Sequence, residues 1–272
     1  MRTPAPGKGT AGAWAALEAE LDAWAAAGRE ARIWWRDDDA AAPSPALERL
    51  LDLAAARAAP LALAVIPATA EDALADLLDG QDAQTAVLQH GFAHANNAGS
   101  LGEPGAKKCE LIDPQRRPAV LDELRRGQEG LAARFGRRFL PVLVPPWNRI
   151  AAALLPRLPG LGFTGLSTYR ARAAAEAAPG VPQVNCHLDI MQWRPERRFL
   201  GTEAALGLLN GHLAAKRQGR ADPGEPSGIL SHHLVHDGAA WDFLGELLAR
   251  LAGHRAVRLL PAATVFAREE AR

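Results

Sequence analysis

Three aspartates stand side by side at Asp37, Asp38 and Asp39, one residue, Arg36, beyond the apolar run Ile33-Trp34-Trp35. Adjacent carboxylates repel, and removal of water strengthens the repulsion. Such a run belongs either in a solvated turn or around a cation. Two histidines, His90 and His94, follow a second apolar run in the order LQHGFAH. At i and i+4 on a helical turn both imidazoles share a face, the spacing of paired zinc ligands, unless they are two unrelated side chains. VPPWNR at 144–149 is a rigid turn carrying Trp147. NCHLDIMQW at 185–193 holds Asn185, His187, Asp189 and Trp193, and ILSHHLVHD at 229–237 holds His232, His233, His236 and Asp237. The bland alternative for the last group is an exposed His-rich turn. If these groups meet, carboxylates and two or three imidazoles suit a borderline divalent cation. One Asp and two His leave coordination positions open. A second Asp is then placed to act as base on water acidified by the ion, and a later His to protonate a leaving group.

The elements that must bring them together are short β-like runs alternating with Ala/Leu/Arg-rich helical stretches. The runs cover 31–35, 61–66, 85–90, 139–144, 163–168, 181–186, 228–232 and 256–260, and the helical stretches 44–59, 69–79, 117–136, 151–158, 202–219 and 238–253. Ser44, Thr69 and Thr202 are candidate helix caps. Alternation of this kind means parallel strands with crossover helices. Seven or eight units suggest a closed or nearly closed barrel, although an open doubly wound sheet gives much the same pattern. In either case active-site residues collect where strands end, which is where the candidates lie. The polar stretches 93–118, 170–182 and 216–228 read as a flap and two connections, the kind of long loop that tends to carry function.

The 272 residues contain 31 Lys+Arg and 31 Asp+Glu, so no general basic field exists to hold nucleic acid. Hydrophobic residues make up 48%, and the mean hydropathy of -0.11 is that of an ordinary soluble domain. Cys109 and Cys186 form no CxxC pair, which fits a reduced, cytoplasmic setting. Residues 1–30 lack a secretory h-region, and Trp14, Leu17, Leu21 and Trp24 recur at helical spacing, predicting an amphipathic helix on a barrel domain of 31–272. No apolar run reaches the length of a membrane span.

Taken in order, these segments resemble the motifs of the polysaccharide deacetylases, the NodB-homology domain of carbohydrate esterase family four. WRDDDA stands where that family has TFDDG, HGFAH where it has H-S/T-x-x-H, VPPWN where it has R-P-P-Y/W-G, DIMQW where it has D-x-x-D-W, and Leu230-Ser231-His232 where it has L-x-H. Gly91, Val144 and Gln192 depart from the pattern at a Ser/Thr, an arginine and an aspartate; Arg149 and Arg36 are the candidates to replace that arginine. The resemblance implies an α/β fold of the distorted (β/α)7-barrel type. It implies Asp38 as catalytic base and Asp39 as metal ligand, with Asp37 and Asp38 as the alternative register. It further implies His90 and His94 as ligands, His232 as general acid with His233 as rival, and the Trp147 amide after Pro146 as oxyanion donor. Asp189, Trp193 and Leu230 would complete the substrate site. The implied activity is removal of an N-acyl group, N-acetyl first, from an amino sugar or related amide. The cofactor is one divalent ion, zinc first, and the partner a small carbohydrate or glycoconjugate. The alternatives are an inactive barrel that binds a glycan or metabolite, and a metal hydrolase of another amide or ester.

Overall fold

The computed structural model describes residues 9–80, 85–100 and 107–267. Eight strands form one sheet: β1 (Ala31–Ala40), β2 (Leu61–Val65), β3 (Thr85–His90), β4 (Phe139–Val144), β5 (Gly165–Leu166), β6 (Leu188–Asp189), β7 (Ser227–Ser231) and β8 (Val257–Leu259). Neighbours follow the order β5-β4-β3-β2-β1-β7-β6, every pair parallel, and β8 lies beside the start of β1. The sheet curls until its two ends meet through the strip 183–189. On one side Val184 N–H donates to Leu166 and Cys186 N–H to Thr168; on the other His187 N–H donates to Gly228 and Ile190 N–H to Leu230. The architecture is the distorted (β/α)7-type barrel implied by the motifs.

Strand alternation sorts the side chains. Trp34, Ala62, Ala64, Leu88, Val142, Val144, Cys186 and Leu230 point inward and form the barrel core. Ile33, Trp35, Leu61, Leu63, Val65, Val87 and Ile229 point outward under the helices. Trp34 fills the floor, donating from Nε1 to Asn185 O at 3.2 Å and meeting Phe266 edge-on. Gly228 is required there: a Cβ would stand 2.7 Å from Trp34 Nε1 and 2.5 Å from Asn185 O.

The outer layer consists of α1 (Thr10–Ala26), α2 (Pro45–Ala56), α3 (Asp72–Asp79), α4 (Ala119–Phe135), α5 (Thr202–Arg217) and α6 (Gly238–Gly253). In α1, Trp14, Leu17, Leu21 and Trp24 are all buried, Trp14 stacks on Phe243 of α6, and Glu20 pairs with Arg217 of α5. Among the described residues no helix is long and apolar enough to cross a membrane.

Several local expectations are corrected. β1 continues to Ala40, so the aspartates lie in the strand rather than after it. The runs 163–168 and 181–186 keep only two sheet residues each, because Gly162 and Gly180 take left-handed turns and Val181–Pro182 pairs back on Glu176–Ala178 in a small ribbon within the 170–182 connection. Residues 152–157 form a 3-10 turn around Pro156, which cannot sit inside a regular helix. Ser44 caps α2 as expected, whereas α3 and α5 begin after Glu71 and Gly201 without a side-chain cap. Within the 93–118 flap, residues 101–106 lie outside the described residues, as do 1–8 of the N-terminal segment.

Near the start of β7 a second polar group is buried: His187, His212, Glu225 and Lys216. The imidazoles of His187 and His212 stack at 3.5 Å, and His187 Nε2 lies 3.4 Å from Glu225. His187, His212 and Glu225 have the residue types of a metal site. Yet Gly228 N–H donates to His187 Nδ1, so the proton of the neutral ring sits on Nε2 and no lone pair faces the carboxylate. The cluster is structural. Burial, with His187 and Lys216 adding to it, lowers the pKa of His212 to about 3. An unfolded histidine protonates near 6.5, so below that pH the unfolded chain binds the extra proton. Stability is therefore expected to fall as pH drops from about 6.5 toward 3, with a slope approaching about 1.4 kcal/mol per pH unit from this one group. Denaturant titrations between pH 7 and 4 check it: His212→Asn should flatten the profile, and an unchanged profile would remove His212 from the acid response.

Candidate metal and hydrolytic centre

Asp39, His90 and His94 converge at the mouth of the barrel. Asp39 Oδ1 lies 3.1 Å from His90 Nε2 and 3.3 Å from His94 Nε2. Three ligands at about 2.1 Å around a tetrahedral ion would stand roughly 3.4 Å apart, close to what is found. His90 Nδ1 donates to Val144 O at 3.0 Å, which fixes the ring and leaves the Nε2 lone pair facing the carboxylate. Two electron-pair donors aimed at each other need a positive charge between them. The charges of the bare site draw positive charge, proton or cation, to the same point. Burial works against it, yet Asp38 and Asp39 raise His90; His94 is lowered by burial and by His90; and His90 together with His232 and His94 holds Asp39 well below the carboxylate range despite its burial. The donor set fits a borderline divalent cation.

The backbone explains how neighbouring aspartates come to one place. Along β1 the inward residues are Trp34, Arg36 and Asp38, and strict alternation would send Asp39 outward with Asp37. Instead the pairing with β2 slips between Asp37 and Ala40, and Asp39 takes φ 72°. This bulge, in a left-handed conformation that Asp tolerates, turns Asp39 inward beside Asp38. His94 is also left-handed, at φ 53°, and Gly91 has φ 56°. The histidines therefore meet across a tight loop leaving β3, and the helical turn read from their spacing is corrected. Glu110 shapes that loop, accepting hydrogen bonds from the amides of Phe92, Ala93 and Ala95. A Cβ at Gly91 would collide with Glu110 and Pro146, which explains glycine at this motif position.

Asp38 is held by Arg36, which is fully buried two residues earlier on the same strand face. Arg36 Nη2 donates to Asp38 Oδ2 at 3.1 Å, and Nε lies 2.8 Å from Oδ1. The rest of the guanidinium is fixed by Ser167 Oγ at 2.6 Å and Asn148 Oδ1 at 2.8 Å. Of the two candidate replacements for the arginine missing at Val144, Arg36 is the one in contact. Arg149 is exposed and donates to Lys108 O.

Asp37 is not brought to this cluster. It points outward, accepts from Ser231 Oγ at 2.6 Å, and binds both the backbone N–H and Nδ1 of His233. Trp35 Nε1 donates to the same serine, so the group staples β1 to β7 beneath the helices. His233 raises no acid toward the mouth from there. His232 is inward, with Nε2 4.0 Å from Asp38 Oδ2 and its ring against the edge of Trp193. Asp189 accepts from Trp193 Nε1 at 2.7 Å, and burial raises its pKa. Trp147, at φ 54°, packs edge-on against His94 at 4.5 Å after the buried Pro146, and Leu230 lies inward in the core below. Asp237 caps α6 and His236 accepts from His232 N–H, so both belong to the turn after β7. Asn185 ties the closing strip to Thr168 and Arg170. Glu110, Ser167 and Asn148 were missed from sequence; the period-two spacing of Arg36 and Asp38 was the signal that could have paired those two.

No protein-family model matches this chain, and no curated protein does. Solved structures do. A Mycobacterium smegmatis protein assigned to the polysaccharide deacetylases superposes with a TM-score of 0.58 at 16% identity, over 87% of this chain and 90% of that one. A Streptococcus mutans family 4 carbohydrate esterase gives 0.53 at 15%, over 81% and 82%. A family 4 carbohydrate esterase from Streptomyces lividans, in complex with acetate, gives 0.51 at 17%, over 84% and 90%. The chain thus has the NodB-homology fold of the polysaccharide deacetylases, the family its motifs resemble.

Proposed function

We propose that the protein is a metal-dependent hydrolase that removes an N-acyl group, most simply N-acetyl, from an amino sugar or related carbohydrate amide. The observation that carries this reading is the convergence of Asp39, His90 and His94 on one point, beside a second carboxylate, Asp38, locked by Arg36. The names of the similar structures, deacetylases and esterases, support the same reaction class.

A divalent ion of the zinc type, bound by Asp39, His90 and His94, would supply positive charge that polarises the acyl carbonyl and makes water more acidic. Asp38 accepts the proton of the attacking water. Arg36 keeps that carboxylate oriented. The Trp147 amide donates to the oxygen on which negative charge develops. His232, across from Asp38, gives its proton to the departing nitrogen, and the Trp193 ring, itself bonded to Asp189, packs against the imidazole. The exposed ring of Trp193 offers apolar surface to the acyl group, and Leu230 packs in the core beneath the site. The free Cys109 and Cys186 support a reducing, cytoplasmic setting.

The purified protein is expected to hold about one divalent ion per chain, and His94→Ala to lose both the ion and at least about 100-fold in kcat/KM on an N-acetylated amino sugar. Elemental analysis and a chelator series check this. Full activity in metal-free protein would overturn it. Arg36→Lys keeps the charge but loses the planar fork, and should lower kcat by roughly 10- to 100-fold with KM and metal content little changed. Arg36→Met strands a buried carboxylate and should cost about 3–5 kcal/mol of stability as well. A KM increase without loss of kcat in Arg36→Lys would move Arg36 out of base positioning.

A further inference from the structure

The loop after β3 must deliver His94 to Asp39, and its backbone does so with Gly91 at φ 56° and His94 at φ 53°. A left-handed turn at a residue with a Cβ costs free energy and persists only where the surroundings hold it. The hold comes from Glu110, which is 1% exposed. Its Oε1 accepts the amide N–H of Ala93 at 2.7 Å and of Ala95 at 3.3 Å, and its Oε2 accepts that of Phe92 at 3.1 Å. Ala93 and Ala95 are the neighbours of His94 on either side. The chain around Glu110 grips the same loop. Glu110 O accepts from Asn97 Nδ2 at 2.8 Å, Cys109 O accepts the Ala98 amide at 3.0 Å, and the Cys109 amide donates to Asn96 Oδ1 at 3.1 Å. On its other side this segment meets the turn that carries Trp147. Leu111 O accepts the Ala151 amide at 2.8 Å, and Lys108 O accepts from Arg149 Nη1 at 2.8 Å.

His90 and His94 are thus fixed in different ways. The His90 ring is held directly, Nδ1 donating to Val144 O at 3.0 Å. His94 is held through the backbone on both sides of it. Three N–H groups converging on two oxygens require an acceptor without protons of its own, which a carboxylate is and a carboxamide is not. Glutamine at this position would turn an NH2 group toward one of the amides. We infer that Glu110 is a positioning residue for the metal ligand His94: its carboxylate sets the turn over 92–95 that aims Nε2 at Asp39. Ion affinity then depends on a residue of the 93–118 stretch that acts through backbone amides and not by coordination. Groups that orient a ligand matter nearly as much to a metal site as the ligand itself. The inference rests on the metal-site reading of Asp39, His90 and His94, and goes beyond it by giving that stretch a part in holding the ion.

The test is metal binding, read without turnover. The full chain, stripped with chelator, is titrated with zinc(II) and with cobalt(II), whose visible absorption reports the number and geometry of its ligands. Glu110→Gln should bind either ion about 10- to 100-fold more weakly than the wild type. At saturating cobalt its visible band should shift, because His94 no longer meets the ion at the same angle. Glu110→Asp keeps the charge but not the reach, and should fall between the two. Leu251→Ala, in the core at the far end of α6, serves as a control that loses stability without touching the site, and its cobalt affinity and band should be those of the wild type. Wild-type affinity and band in Glu110→Gln, or in Glu110→Asp where the Gln variant does not fold, would overturn the inference. So would the same shift in Leu251→Ala, which would make the effect one of general stability. Hydrolysis of an N-acetylated amino sugar is followed in parallel. Metal uptake that depends on Glu110 without hydrolysis would sink the deacylase reading and leave the inference standing. Hydrolysis with uptake indifferent to Glu110 would do the reverse, and no uptake by the wild type would sink both.

Discussion

Successive residues of a strand face opposite ways, and a metal site with an adjacent base needs two carboxylates on one side. Everything at the barrel mouth depends on how β1 resolves that conflict. It inserts one residue against β2 and lets Asp39 adopt a left-handed backbone, so that Asp38 and Asp39 both turn inward. Without the bulge, Asp39 would join Asp37 under the helices and the imidazoles of His90 and His94 would face an empty corner. The three aspartates therefore occupy three environments: Asp37 binds His233 outside, Asp38 binds Arg36 inside, and Asp39 meets the two histidines.

The second constraint is charge. A carboxylate within an apolar barrel must be balanced. Asp38 is balanced from its own strand, because residues two apart share a face, and Arg36 is the nearest inward neighbour. Val144 on β4 then serves through its backbone, its carbonyl receiving both His90 Nδ1 and the Gly91 amide. One arginine, fixed by Ser167 and Asn148, thus connects the base to the turn that carries Trp147.

Much of this was legible in the sequence. Apolar runs marked β1 to β4 and β7, and the order of the motifs marked the barrel, because each rests on local periodicity. The register of the aspartates was not legible, since a bulge is a single backbone torsion with no composition of its own. The spacing of His90 and His94 pointed to a helix because i and i+4 is also what a five-residue loop delivers when Gly91 and His94 both go left-handed. Glu110 was hidden in a polar flap whose length suggested function but whose one buried acid looks like any other. The run at 181–186 failed because its hydrogen bonds go to single partners on two different strands rather than to one long ladder.

That strip gives the ring its lightest joint. The ladders of β1 with β7 and of β2 with β3 pair five residues each, whereas 183–189 is held to the β5 side by single bridges and to β7 by a two-residue ladder. Local opening follows the least-bonded segment. Amide exchange should therefore be faster along 183–189 than in β1 or β2. The same strip leads directly into Asp189 and Trp193, so the wall behind His232 is also the part of the barrel that breathes most easily.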